Sequence, residues 1–204
     1  MYIFRNQAIE PLERLHDFVD EYNFGILFTE SLEATHLPFF IKRDEGELGT
    51  LYAHISKANP QSQALDGKPT LITFSGPHAY ISPSWIETRP MVPTWNYAVV
   101  QARGTAALLD TEGTLAAIEG LIEKQEPALL EKRDLVTDEV VSSLIDYIVG
   151  IRIKITDIQG SLKLGQTDPV ADQRGVVRGL SAEGRADGNQ LLDYMQQLDV
   201  GMGR

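Results

Sequence analysis

The chain has 204 residues, 43% of them apolar, and a formal charge of −11 at pH 7, which suits one globular domain, or one with a small appendage. It has no cysteine, which excludes disulfides, thiolate metal sites and thiol catalysis. There is no basic-then-apolar leader and no run near the ~20 apolar residues of a membrane span, so a soluble, cytoplasmic protein is expected, with no membrane partner and with a charge that repels phosphate backbones.

Leu12, Leu15, Phe18 and Val19 recur at helical spacing behind Pro11, which predicts a first helix from about Pro11 to Tyr22 with His16 in solvent. Phe24 to Thr29 reads as a buried strand. Glu33 to Lys42 reads as a second, with Pro38 marking an edge or a bulge. Asp44 to Glu47 is a hairpin turn, and Gly49 to Ser56 a third strand. A polar segment, Gln61 to Lys68, leads to Thr70–Phe74 and His78–Ile81, two short strands separated at Gly76-Pro77. Both tryptophans, Trp85 and Trp95, follow among rigid turns. Such crowding suits a shaped surface or an aromatic core in equal measure.

Tyr97 to Leu109 makes a long strand with a bulge or bend at Gly104. Asp110 or Thr111 caps one helix, carrying Leu115, Ile118, Leu121 and Ile122 on one face. Thr137 caps another, with Val140, Val141, Leu144, Ile145 and Ile148 inward and Gly150 as its stop. Ile151 to Thr156 alternates as a last strand. Ser161 to Pro169 reads as a polar loop, Val170 to Leu180 as a short helix and Gly188 to Leu198 as a weak one, with a mobile tail from Ser181. Consecutive strands with short turns predict a mainly β chain with flanking helices, an antiparallel barrel or sandwich.

The nucleotide and hydrolase signatures are absent. No Gly-x-Gly-x-x-Gly or Gly-x-Ser-x-Gly occurs, and in Gly160 to Thr167 the position of a phosphate-loop Lys is held by Gln166. His16, His36, His54 and His78 lack paired metal-ligand spacing, so core or hydrogen-bonded roles are expected of them and no metal site. On the third strand, alternation puts His54 and Ser56 on one face, with Lys57 and Asn59 at the exit. That set can hold a phosphate with help from backbone N–H groups. A solvated strand end is the competing reading.

Several longer stretches carry a resemblance. Ala34 to Pro38 (ATHLP), His54 to Gln61 (HISKANPQ), Phe74 to Trp85 (FSGPHAYISPSW), Val92 to Tyr97 (VPTWNY), Ile148 to Gly150 and Gly175 to Val177 together resemble the PaiB family of FMN-binding negative transcriptional regulators. The match runs from Met1 to about Leu180. It implies a split β-barrel of the FMN-binding type over residues 1–180, with 181–204 a weakly structured or helical tail, and a homodimer holding the cofactor near the subunit interface. The family usually carries Lys-Leu-Ser-Gln-Asn in its late loop. This chain has Lys163-Leu164-Gly165-Gln166-Thr167, losing a hydroxyl and an amide.

An isoalloxazine needs a flat, partly apolar slot with polar groups for its pyrimidine edge, and a phosphate needs ammonium, hydroxyl or N–H donors. His36, Leu37, His54, Ile55, Ser56, Lys57, Asn59, Trp95 and Asn96 can supply these between them, and the late loop adds Lys163 and Gln166. Two rival readings share the fold: an FMN-dependent oxidoreductase, by fold analogy, and a haem-handling protein ligated by His36, His54 or His78. No acid–base pair names a substrate or catalytic residue. Direct DNA contact lacks a visible reader: no run of Lys or Arg forms a basic patch. The purified protein should therefore bind generic duplex DNA weakly at physiological salt. A filter-binding titration showing tight binding with a steep salt slope would contradict this.

Overall fold

The computed structural model describes residues 1–132 and 134–204. Its strands are β1 (Phe24–Phe28), β2 (Ala34–Pro38), β3 (Phe40–Lys42), β4 (Thr50–Ser56), β5 (Pro69–Ile81), β6 (Thr94–Leu108) and β7 (Ile148–Lys163). Its helices are α1 (Leu12–Glu21), α2 (Pro60–Ala64), α3 (Thr111–Gln125), α4 (Asp138–Leu144), α5 (Val170–Glu183) and α6 (Ala186–Leu198). The strands join one sheet in the order β2-β1-β5-β6-β7-β4-β3. β1 runs antiparallel to β2 and β5, and β4 antiparallel to β3 and β7. This is the antiparallel sheet with flanking helices that the alternation predicted.

Two compact units divide the chain, with boundaries inside β5, β6 and β7. The mid-chain unit is Glu10–Phe74 with Val100–Gln159; the terminal unit is Met1–Ile9, Ser75–Val99 and Gly160–Arg204.

In the mid-chain unit β4 pairs with β7 from Thr50↔Lys154 to Ser56↔Ile148. One face of the pair buries Leu51, Ala53, Ile55, Ile151 and Ile153, as period-2 alternation requires. The other face meets α3: a Cβ on Gly120 would overlap the Phe40 ring, and Gly150 N–H donates to Thr114 Oγ1 at 2.9 Å. The ladder also explains a correction at α4. Ile148 and Gly150 were read as the end of that helix, but pairing with Ser56 and His54 draws them into β7. The helix closes at Leu144, and Val140 and Leu144 face solvent. His16 is a second correction. It stands three residues before Val19, shares the buried stripe of α1, and places Nε2 3.0 Å from the Leu48 carbonyl.

The polar segment after Asn59 folds as α2. Asn59 Oδ1 accepts the Gln61 N–H at 2.9 Å, an N-cap bond. Gln61 is fully buried, and its amide satisfies the β1–β2 hairpin. Nε2 donates to the Leu27 and Glu33 carbonyls and Thr29 Oγ1 (3.1–3.2 Å), while Oε1 accepts from Thr35 Oγ1 at 2.5 Å.

β5 does not break at Gly76-Pro77 but runs on to Ile81. β1 pairs only with Leu71 to Thr73, so Pro77 lies beyond that ladder, where a missing N–H removes no bond to β1. β6 runs as one long strand through Gly104, as read. The glycine is there for close approach, since a Cβ would run into the Lys154 carbonyl of β7.

In the terminal unit Trp85 seats on α5. Cβ atoms at Gly175 and Gly179, one turn apart, would overlap the Trp85 carbonyl and its indole ring respectively. Of the two readings of the aromatic crowding, Trp85 follows the packing one within its own unit. The segment from Ser181, read as mobile, continues α5 and forms α6, which buries Leu191, Leu192, Tyr194 and Met195. Replacing Gly179 by Ala overfills the notch and should destabilise by about 1–3 kcal/mol. Urea unfolding of the Gly179→Ala protein with an unchanged midpoint would show that the notch is not tight.

Candidate functional site

The phosphate-competent residues of the mid-chain unit cluster where β4 ends. Ser56 and Lys57 are exposed. Ser56 Oγ accepts the Ala58 N–H at 3.2 Å, leaving its own proton to donate. Lys57 N–H donates to the Tyr147 carbonyl at 2.8 Å and Nζ to the Ile145 carbonyl at 2.5 Å. A neutral carbonyl is the ammonium's partner among the described residues, so donor capacity and full charge remain for an anion. Asn59 is already engaged, its Nδ2 donating to Thr35 Oγ1 at 3.0 Å besides its cap. Ile55 and Leu37 point into the core. His36 is exposed on β2, its ring 6.1 Å from Phe24.

His54 faces the same way as Ser56, but beneath α3. It pairs with Gly150, where a Cβ would lie 2.9 Å from Thr114 Cα. Its Nδ1 is buried without a hydrogen-bond partner, and burial holds its pKa below the ordinary histidine value. On the same face, burial and then the Glu45 carboxylate push the Tyr52 phenol up to about 12.

In the terminal unit, β5 and β6 expose an aromatic patch. Trp95 and Tyr80 are 49% and 40% exposed, which leaves the indole face open. Trp95 lies 6.2 Å from Tyr80, edge to face, and 6.3 Å from the His78 ring. Lys163 borders the patch, its Nζ donating to the Trp95 carbonyl at 2.8 Å and to Thr94 Oγ1 at 2.5 Å. Asn96 turns to the opposite, buried face, as strand alternation demands. Gln166 is a structural clamp. Its Oε1 accepts the Leu164 N–H at 2.9 Å, and Nε2 donates to the Asn6 and Leu162 carbonyls at 3.0 and 2.6 Å. Beside this loop Asp168, not foreseen from the sequence, is pushed up by burial and then by the Asp172 carboxylate, against the pull of Lys163. Among the described residues no cluster of three His, Asp or Glu could hold a metal ion, and no helix is long and apolar enough to cross a membrane.

A family model described as "Putative FMN-binding domain" matches residues 1–157. The chain is 34% identical over 206 residues to "Protease synthase and sporulation protein PAI 2" of Bacillus subtilis, covering 96% of this chain and 97% of that one. The chain belongs to the PaiB-type FMN-binding family. Two solved structures share the fold. The flavocytochrome Anf3 of Azotobacter vinelandii has a TM-score of 0.62 at 17% identity, over 79% of this chain and 72% of its own. The FAD and heme binding protein of Mycobacterium smegmatis has a TM-score of 0.56 at 14% identity, over 77% and 73%. At such identities the likeness shows the fold alone, and that fold is the antiparallel split barrel.

Membership in the PaiB-type family brings FMN as the cofactor, and the donor sets fit it. The Ser56–Lys57 strand exit offers an ammonium and a hydroxyl proton suited to a phosphate. The Trp95 patch offers a flat apolar face with an ammonium at its edge. Sequence reasoning missed the engagement of Asn59 and Gln166: Thr35 and Asn6 lie far along the chain, and the nearer partners, Gln61 for Asn59 and Leu162 and Leu164 for Gln166, come into reach only through the turns that follow the strands.

The half-buried His54, with its Nδ1 shielded from solvent, supplies a pH test. Its folded pKa lies below the unfolded value of about 6.5. Its neutral form therefore favours the fold above that pH, and the contribution is lost as pH falls through the folded pKa. A His54→Leu protein should lose less stability than the parent between pH 7.5 and 5, with slopes differing by at most about 1.4 kcal/mol per pH unit. Parallel declines in urea unfolding would show that His54 is not the source.

Proposed function

We propose that this PaiB-type chain is a cytoplasmic, homodimeric regulator whose FMN slot is shared between protomers. The Ser56–Lys57 strand exit of one protomer holds the phosphate, and the Trp95 patch of its partner flanks the isoalloxazine. The observation that carries the reading is the exposed Lys57 ammonium, held in place by the Ile145 carbonyl yet unneutralised by any described carboxylate. A small barrel fills its interior with its own side chains and leaves little room for a tricyclic ring, and an exposed indole suits a subunit interface. The regulatory part is supported by the relative in Bacillus subtilis, named for protease synthesis and sporulation. With a charge of −11, regulation through a partner or a small-molecule signal accords better with the chain than direct DNA contact.

When bound, the flavin supplies redox chemistry at its ring system. The chain's own part is to place charge and flat surface. Lys57 contributes a point charge with rotatable donors, Ser56 a proton, and Trp95 a face on which a ring stacks. Lys163 brings positive charge to the patch edge.

Replacing Lys57 by Ala should weaken FMN binding by about 1.5–3 kcal/mol, the worth of a charge-assisted bond, and leave riboflavin binding unchanged. Equal loss for both flavins, or none, overturns the phosphate role. Sedimentation with and without FMN tests the shared slot, which a monomer binding FMN at full affinity would exclude. The absorbance spectrum separates the haem reading: flavin bands near ~370 and ~450 nm support FMN, and a Soret band opposes it.

A further inference from the structure

The flavin reading leaves unused a cavity of about 180 Å³ between α3 and the segment that returns from it. α3 has two apolar stripes. Thr114, Ala117 and Leu121 are buried, and Thr114 is tied to the sheet through its bond to Gly150. The adjoining stripe, Leu115, Ile118 and Ile122, lines the cavity. The far wall is Leu129 and Leu130 of the 3-10 turn Pro127–Glu131, then Val136 and Val141. Val141 is thus the α4 valine that turns inward.

Size and wall chemistry narrow the occupant. Pockets for drug-sized ligands start near ~300 Å³, so this space is too small for a flavin. An aliphatic cavity of ~150 Å³ stays dry and takes a benzene-sized molecule. Among the described residues of the lining the charged side chain is Glu119, exposed at the rim with Ser142. No described cation neutralises it. Lys124, five residues further along α3, donates instead to Asp20 at 2.8 Å. An apolar pit with the Glu119 carboxylate at its mouth selects an apolar body with a cationic head, and the chain's charge of −11 raises the local concentration of cations.

We propose that the α3–α4 cavity is a binding site for a small organic amine with an apolar body, independent of the flavin site. The aliphatic stripe takes the ring or chain, and the Glu119 carboxylate takes the ammonium. Benzylamine, toluene and benzoate share a ring and differ in charge, so calorimetric titration of the full chain with each reads both requirements. Benzylamine should bind most tightly and benzoate least. In the Glu119→Gln protein the preference for benzylamine over toluene should shrink about fivefold, the scale of a rim-exposed ion pair. In a Val141→Phe protein, which fills the cavity, benzylamine binding should be lost while flavin binding persists. No binding of benzylamine, benzoate binding as well as benzylamine, or a preference unchanged by Glu119→Gln would each overturn the proposal.

Discussion

β3 and β4 join the sheet only through β7, and the register of the β4–β7 ladder decides what that edge presents. Leu51, Ala53 and Ile55 point into the core, while Tyr52, His54 and Ser56 point the other way. A slip of one residue would exchange the two sets and bury a phenol, an imidazole and a hydroxyl among isoleucines. The same register puts Ser56 opposite Ile148. The next residue, Lys57, thereby meets the Tyr147 carbonyl with its N–H and the Ile145 carbonyl with its ammonium. The strand exit is built by hydrophobic alternation upstream, and its charge is a consequence of that register.

In the terminal unit polar saturation does the equivalent work. Asp172 is buried on α5 and accepts the N–H groups of Glu87 and Thr88, both at 2.9 Å. The Thr88 N–H above all holds its carboxyl below the usual carboxylate range. Together with Trp85 in the glycine notch, this fastens residues 85–88 to α5. Gln166 does the same for the loop after β7 by joining it to Asn6. Segments that read as loops in the sequence are pinned by groups whose partners lie far along the chain.

That separation explains what was legible. Period-2 runs such as Leu51–Ala53–Ile55 and Ile151–Ile153–Ile155 declare strands locally, and the long stretches around Lys57 and Trp95 declare the family. The sequence could not show that Gly76-Pro77 lies past the β1 ladder, that α3 covers His54, or that Gly175 and Gly179 make room for an indole. Each depends on a contact between distant segments. Among the candidate site residues, spacing alone placed Lys57 and Ser56 at an open strand end. Trp95 and Asn96 were read as lining one slot, whereas neighbours on a strand face opposite ways and Asn96 is buried. The same alternation buries Leu37 and Ile55, which the sequence reading had counted among the slot's residues.

The chain has only two tryptophans, and they sit in contrasting surroundings within one unit. Trp85 is wedged against backbone on a glycine-lined helix face; Trp95 stands half in water beside Tyr80 and His78. Indole emission shifts to longer wavelength with solvent contact and is quenched by collision with solutes. The protein's intrinsic fluorescence is therefore the sum of a blue, shielded component reporting the seating of α5 and a red, accessible one reporting the open aromatic face.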